Sequence, residues 1–271
     1  MILNTDISIT VPMARCSIEN PDGRHFCQLH HEAESLVDAI YRFANTGLRE
    51  GERVMLVAPD ERNRNVLERL RVDGVDTAAL VRTGRLSVQT PGEIRDACLR
   101  GGVFDTQRFR NLFATLFRQY DAGVRMRLYG ELSNSFWHEG DVETAALLEE
   151  ICHEVRGERR IAVFCGYLFD GLDQDSYRTG IERICRVHSC FPETPEDDRL
   201  REAVDAASRE VIGIPLSVAL NRTHSDGGNW WDRLPLARRT ILWLQAHMPG
   251  AMIRVLDLAR SNYRAGQDRS A

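Results

Sequence analysis

The stretch RVMLVA, residues 53–58, decides the fold class of this chain. It is a mostly apolar run with the length of a buried strand, and it lies between Gly51 and Pro59, which favour turns. The segments VRMRLY (124–129) and RIAVFC (160–165) have the same character, and segments with helical spacing of apolar residues separate the three runs. This alternation predicts an α/β fold, with a mostly parallel sheet flanked by helices on both faces.

Composition divides the chain into three regions. Residues 1–20 form a loose arm or an edge strand in our interpretation, and residues 21–192 hold the alternating strands and helices. The stretch FPETPEDD (191–198) is rich in proline and acid, which indicates a domain boundary. Residues 193–271 contain helical patterns and no strand pattern, so we predict a linker followed by an α-helical C-terminal appendage.

The overall composition limits the classes of function. All 35 basic residues are arginine, which excludes Schiff-base chemistry and the phosphate-binding lysine of a P-loop. The net charge of -5 argues against a dedicated nucleic-acid surface. The seven cysteines are scattered and no signal peptide precedes them, so we expect reduced thiols and a cytoplasmic protein. No apolar run approaches the roughly 20 residues that a membrane helix needs.

The turn after the first predicted strand has the sequence QLHHEAE, residues 28–34. In open α/β domains the ligand usually lies at the carboxyl ends of the strands, and a phosphate-binding protein places glycines and a lysine in this turn. Here both are missing, and Glu32 and Glu34 would repel a phosphate. We therefore predict that ATP and GTP are neither bound tightly nor hydrolysed, and that no cofactor is used.

A helix followed by GLREGE (47–52) and an apolar strand resembles the core of RecA/KaiC-like ATPases. Further motifs follow in order along the chain: His25-x-Cys27, GRLSV (84–88), GVFD (102–105), RMRLYGE (125–131), LLE (147–149), VFCGY (163–167) and His188. Together they resemble the MEDS sensory domain over about residues 24–192. This resemblance implies a RecA-like fold with a degenerate nucleotide site, an input role in bacterial signalling beside modules such as histidine kinases, and small hydrocarbon-like ligands.

Eight polar or aromatic side chains are candidates to bind the ligand at the crevice: His25, Cys27, His30, His31, Glu131, Cys165, Tyr167 and His188. Glu131 follows a buried strand, where the resemblance to RecA-like ATPases implies an acidic, metal-facing residue, and it could equally be a structural hydrogen-bond acceptor. Cys165 is either a redox sensor or a small buried hydrophobe, and His188 is most simply a residue of a terminal helical turn.

The same candidates include ligand types that suit a transition metal, namely His25, Cys27, His30 and His31. No clean Cys-x2-Cys or His-x3-His spacing supports them. We therefore predict pocket-lining or capping roles and no bound metal.

Our interpretation of function is a non-catalytic sensory or regulatory protein that binds a small ligand or a signalling partner, such as a histidine kinase, and forms a homo-oligomer. Two alternatives stay open. One is an enzyme that uses Glu131 or the His/Cys residues. The other is a DNA-binding regulator that uses helices at 236–247 and 251–263 as a helix-turn-helix. Apolar residues dominate these helices, so we predict a hairpin that packs on the sheet domain or on a second protomer, and no binding of nucleic acid.

Overall fold

Seven strands occur in the described part of the computed structural model: β1 (His25–His30), β2 (Arg53–Val57), β3 (Leu86–Gln89), β4 (Leu99–Arg100), β5 (Val103–Phe104), β6 (Met126–Gly130) and β7 (Ile161–Leu168). Five of them form one parallel sheet in the order β1-β7-β6-β2-β3, while β4 and β5 form a small antiparallel pair. The structure describes residues 17–21, 23–118, 124–157, 161–177, 180–222 and 230–267. The predicted arm at residues 1–20 lies mostly outside them.

The sheet confirms the predicted fold class. The stretch RVMLVA corresponds to β2, in which the last four residues are buried, and β7 buries seven of its eight residues. Apolar side chains on both faces of a strand are typical of a parallel sheet that helices cover on both sides. The RecA-like arrangement of the strands stays a prediction.

Helices α1 to α7 lie between these strands along the chain, and α8 follows the last strand: α1 (Ala33–Arg49), α2 (Asp60–Val72), α3 (Thr77–Arg82), α4 (Pro91–Ala97), α5 (Thr106–Arg118), α6 (Leu132–His138), α7 (Val142–Arg156) and α8 (Ile181–Val187). Local signals fix where several of them begin. Asp141 caps α7 by accepting a hydrogen bond from the backbone of Thr144, and Thr90 and Glu93 form a capping box at the start of α4.

The two faces of the sheet pack against different helices. On one face, Phe26, Phe43 and Phe164 join the buried side chains of α1 and α2, and the Phe26 and Phe164 rings stack with 4.9 Å between their centroids. On the other face, Cys27 and Cys165 join the buried side chains of α5 to α8 and of the C-terminal helices. Side chains two residues apart on a strand share a face, so His25 also belongs to this second face.

The C-terminal region consists of α9 (Pro195–Ile212), α10 (Leu216–Arg222), a 3-10 turn (Trp230–Arg233), α11 (Leu236–His247) and α12 (Pro249–Gln267). Helix α9 begins inside the stretch FPETPEDD, where Thr194 and Asp197 form a capping box. The acidic residues that indicated a linker therefore stand in the first turn of a helix. Acidic side chains stabilise that position because they face the positive end of the helix dipole.

Helices α9, α11 and α12 pack on one another, and they contact the sheet domain. Ile241, Leu244 and Val255 are fully buried, and Arg238 donates a hydrogen bond of 2.9 Å to the backbone oxygen of Leu29 in β1. Contact with the sheet domain is one of the two placements that the sequence predicts for these helices. None of the described helices combines the length and the apolar character that crossing a membrane requires.

Candidate functional site

The eight predicted site residues lie in three places and do not line a single crevice. His25, Cys165, Tyr167 and His188 surround a residue that sequence reasoning missed, Glu149, with Cys27 on the same face of the sheet. His30 and His31 lie at and just after the carboxyl end of β1, and Glu131 follows the carboxyl end of β6.

The first place is a group of four side chains that we call the buried cluster: His25, Glu149, Cys165 and His188. Adjacent parallel strands supply two of them, because His25 lies on β1 and Cys165 on β7. Helix α7 supplies Glu149, and His188 follows the last residue of α8. All four are buried, and one ligand atom from each lies within 4.8 Å of those from the other three.

Glu149 is the centre of the buried cluster. Its Oε2 accepts a hydrogen bond of 3.2 Å from the thiol of Cys165 and lies 3.3 Å from Nε2 of His25. Its Oε1 accepts a hydrogen bond of 2.6 Å from the hydroxyl of Tyr167. The sequence offered one usable signal for this residue, since Glu149 lies on the apolar face of α7 between the buried Leu148 and Ile151.

His188 completes the buried cluster. Its Nδ1 lies 2.6 Å from the backbone oxygen of Ile184, and its Nε2 faces Oε2 of Glu149 at 3.5 Å without a well-formed hydrogen bond. His188 is therefore the terminal-turn residue that the sequence indicated, and its second nitrogen also points into the cluster. The His25 and His188 rings are 4.2 Å apart between centroids.

Burial and mutual contact change the acidity of these groups. Burial, together with the neighbouring His188, lowers the pKa of His25 to about 4. Burial and the carboxylate of Glu149 raise the pKa of Cys165 and of Tyr167 well above their usual values. Burial also opposes the charge on Glu149, yet attraction to the neighbouring His188 and His25 rings outweighs it and holds the pKa of this carboxyl well below its usual value.

Cys27 lies beside the buried cluster, in register with Cys165 on the neighbouring strand. It is buried, and burial raises the pKa of its thiol, so it packs as a small apolar side chain. The described free cysteines are all buried, and they are Cys27, Cys98, Cys152, Cys165 and Cys185. Cys190 is disulfide-bonded, and the expectation of uniformly reduced thiols is wrong at this position.

The second place is the carboxyl end of β1, where C-terminal elements cover the predicted crevice. His30 is fully buried, with its ring nitrogens 3.0 Å from the Ser35 hydroxyl and 3.1 Å from the side-chain oxygen of Gln28. Burial, with a contribution from Arg238, lowers the pKa of His30 to about 3. His31 is partly exposed, and its ring lies edge-on against that of Tyr263 in α12.

The acidic turn that follows β1 is also bound to the C-terminal helices. Glu32 accepts hydrogen bonds of 2.8 Å from Arg199 and from the hydroxyl of Tyr263, and its backbone N–H donates one to Glu196. Of the two carboxylates that would repel a phosphate, Glu32 therefore holds α9 and α12 in place, whereas Glu34 pairs with Arg69 of α2.

The third place is the carboxyl end of β6. Glu131 is buried, its carboxylate pairs with the guanidinium of Arg62 at 2.7 Å, and it accepts a hydrogen bond of 2.8 Å from Tyr129. Burial raises the pKa of Glu131, although Arg62 opposes that shift. The carboxylate thus has two partners from its own domain in the position where the resemblance implied a metal-facing acid.

A cavity of about 740 Å³ lies between the sheet domain and the C-terminal region. Tyr177, Ile181 and Arg183 contribute to its wall from the sheet-domain side, and Trp230, Trp231 and Leu242 contribute from the C-terminal side. None of the eight predicted site residues lines it.

Comparison with known proteins identifies the part of the chain that holds these features. The model of the MEDS family, described as the methanogen/methylotroph DcmR sensory domain, matches residues 24–189, which is more than half of the 271 residues. All four members of the buried cluster lie inside the match, whereas α9 to α12 lie outside it. No curated protein matches the chain. The chain belongs to the MEDS family of sensory domains.

Proposed function

We propose that this chain is a non-catalytic sensory protein of bacterial signal transduction that receives a small ligand in the cavity between the sheet domain and the C-terminal region. The observation that carries the proposal is the composition of the cavity wall, which comes from both regions. A ligand that touches both walls binds the docked arrangement more tightly than any other, and so it shifts the position of the C-terminal helices.

The packing at the carboxyl ends of the strands also supports the cavity as the ligand site, because other side chains already fill the strand ends. The guanidinium of Arg238 is fully buried near the end of β1, 3.5 Å from Asp197 and 5.4 Å from the centre of the Phe169 ring. A Cβ atom added at Gly171 would collide with the same guanidinium. The tightness of this packing favours a role for the strand ends in docking the C-terminal helices, and the open cavity is left to receive the ligand.

The lining of the cavity indicates the class of ligand. The Trp230 and Trp231 rings meet edge-on at 5.6 Å, and together with Leu242 they give an apolar wall. Arg183 adds a polar group to the wall, where it is ion-paired with Glu143 of the same wall. Pockets for small molecules are typically about 300–1,000 Å³, largely apolar, with a few polar groups that orient the ligand. A small hydrocarbon or aromatic compound with one polar group fits these properties.

The connection from the cavity to the sheet domain is short. Arg233, which follows the two tryptophans, donates hydrogen bonds to the backbone oxygens of His188 at 2.8 Å and Cys185 at 3.3 Å. These oxygens lie at the end of α8, and Ile181 at the start of α8 lines the cavity. Movement of either tryptophan is therefore transmitted to both ends of this helix.

The experiment is a thermal-shift titration of the full chain with 1-hexanol, phenol, benzoate and indole. We expect at least one probe to raise the melting temperature and to change the tryptophan fluorescence. Ala246→Trp, which places a ring at the cavity wall, should abolish both effects. Ile253→Trp adds the same ring at an exposed site on α12 and should keep them. No response to any probe, or an equal response in Ala246→Trp, would exclude the cavity as the ligand site.

A further inference from the structure

The buried cluster has the geometry of a metal site. Its four ligand atoms define six separations, and four of these are 3.2 to 3.5 Å. Bonds of about 2.0–2.3 Å to a tetrahedral ion place neighbouring ligand atoms about 3.3–3.8 Å apart. The other two separations, from the ligand atom of His188 to those of His25 and Cys165, are at most 4.8 Å. A small closure of the His188 ring toward the other three would complete a tetrahedron.

Hydrogen bonding alone leaves this arrangement incomplete. Nδ1 of His188 carries the proton, because its partner at 2.6 Å, the backbone oxygen of Ile184, can only accept. In the neutral imidazole, Nε2 then presents a lone pair to the carboxylate of Glu149 at 3.5 Å, in a site that water does not reach. Two electron-rich atoms that face each other in a buried place are unfavourable unless a proton or a metal ion lies between them, and the four converging ligand atoms favour the metal ion.

Two of the four ligands, His188 and Glu149, have the supporting contacts that are usual in metal sites. Metal-binding histidines usually donate their second nitrogen to a carbonyl or carboxylate, and ligating carboxylates are themselves hydrogen-bonded. His188 has such a partner in Ile184, and Glu149 has one in the hydroxyl of Tyr167. Nδ1 of His25 has no hydrogen-bond partner among the described residues, and its ring lies 4.2 Å from the His188 ring and 5.7 Å from the His153 ring between centroids.

Charge balance selects a divalent ion. The Glu149 carboxylate and the Cys165 thiolate together cancel a charge of two, and both imidazoles bind as neutral groups. The thiol proton of Cys165 leaves to solvent when the ion enters. A neutral complex avoids the penalty of an uncompensated charge in the core.

From this geometry we infer that His25, Glu149, Cys165 and His188 form a tetrahedral site for a divalent transition metal ion, with Zn²⁺ as the ion that a two-histidine, one-thiolate, one-carboxylate set fits best. Four protein ligands leave no open position, so the ion is structural and does not activate water. It ties β1 and β7 to α7 and to the end of α8. The inference does not depend on the ligand cavity. It opposes the prediction from the sequence that no metal is bound.

The test is growth in minimal medium supplemented with Co²⁺, followed by chelator-free purification of the untagged full chain. Supply of the metal during synthesis lets it enter before the site is buried. We expect one cobalt per chain, the intense visible bands of tetrahedral Co²⁺, and a thiolate-to-metal charge-transfer band. Cys165→Ser should remove the charge-transfer band. Cys98→Ser, at another buried free cysteine, is the matched control and should retain it.

A second variant tests whether the Tyr167 hydroxyl orients Glu149 toward the ion. Tyr167→Phe removes only the hydroxyl that donates to Oε1 of Glu149. It should lower the affinity of the protein for Co²⁺, measured by competition with a chelator, by about ten- to a hundredfold. Unchanged competition would show that Glu149 does not hold the ion.

The inference is overturned if folded wild-type protein grown with Co²⁺ or Zn²⁺ contains no stoichiometric metal. It is also overturned if the charge-transfer band survives Cys165→Ser, since the ion would then lie on another thiol. Circular dichroism establishes that each variant is folded. If Cys165→Ser does not fold, Glu149→Gln takes its place, because it keeps the shape of the side chain and should lower cobalt affinity at least tenfold. Unchanged affinity in that variant would refute the site.

Discussion

The buried cluster and the carboxyl end of β1 hold similar residues but differ in how their polar atoms are paired. Near the end of β1, both ring nitrogens of His30 have partners, and Arg238 and Glu32 each contact a second region of the chain. In the buried cluster, four ligand atoms converge on one point, and Nε2 of His188 has no hydrogen-bond partner among the described residues. The contacts near β1 support a docking role for that site, whereas the converging ligand atoms support the proposed ion site.

The largest effect should follow from breaking the docking contact. Arg238→Ala leaves Asp197 buried without its cation and removes the hydrogen bond to Leu29. Removal of one partner from a buried ion pair costs about 3–5 kcal/mol. We expect the free energy of unfolding, measured with urea, to fall by about that amount.

Arg254→Ala, on the exposed side of α12, is the matched control for this measurement and should change the free energy by less than about 0.5 kcal/mol. A loss of similar size in both variants would show that Arg238 does not fix the C-terminal helices to the sheet.

A smaller effect concerns the pH dependence of stability. The pKa of His30 is about 3 in the folded protein and about 6.5 when unfolded. Between these values the unfolded state binds one proton more, so stability declines as pH falls below about 6.5, by up to about 1.4 kcal/mol per pH unit. The charged groups that face this ring are Glu196 from α9, Arg238 from α11, Arg62 from α2 and Arg42 from α1.

His30→Asn should therefore show a shallower loss of stability between pH 6.5 and pH 5, in urea unfolding measured at a series of pH values. His247→Asn, at an exposed position on α11, is the control. Equal slopes in His30→Asn and in the wild type would mean that the ring is not held in its uncharged form.

The smallest effect should come from nucleotides. Because the first strand–helix turn has no glycine and no lysine, and Arg62 already pairs with Glu131, we expect no heat of binding with Mg-ATP and no phosphate release. Low-micromolar binding, or turnover that Glu131→Gln abolishes, would favour the enzyme alternative over the sensory one.

The sequence predicts some of these features for clear physical reasons. Apolar runs such as RVMLVA carry the signal of a buried strand within a few residues, which is why the parallel sheet could be predicted. The strand order depends on contacts between distant segments and could not. His25, Cys165 and His188 were recognised as site residues, but only the pairing of β1 with β7 and the position of α8 bring them together.

Glu149 was missed although it lies on the apolar face of α7, because a glutamate in a helix far more often faces solvent than the core. His30 was grouped with His25 because both precede the same turn. Five residues along a strand separate them by about 16 Å, however, which is too far for a shared ion. Sequence spacing also gave no sign that Arg238, more than 200 residues after Leu29, would close the end of β1.

Native mass spectrometry of the full chain, purified without chelator from cells grown with Zn²⁺, tests the central claim most directly. That claim is that the polar residues of this MEDS domain form an ion site in its core, and do not form a phosphate site at the strand ends. We predict a mass equal to the chain plus one zinc ion, less the protons displaced, with no nucleotide, and loss of that zinc in Cys165→Ser. A bare chain, or a chain that carries a nucleotide, would contradict it.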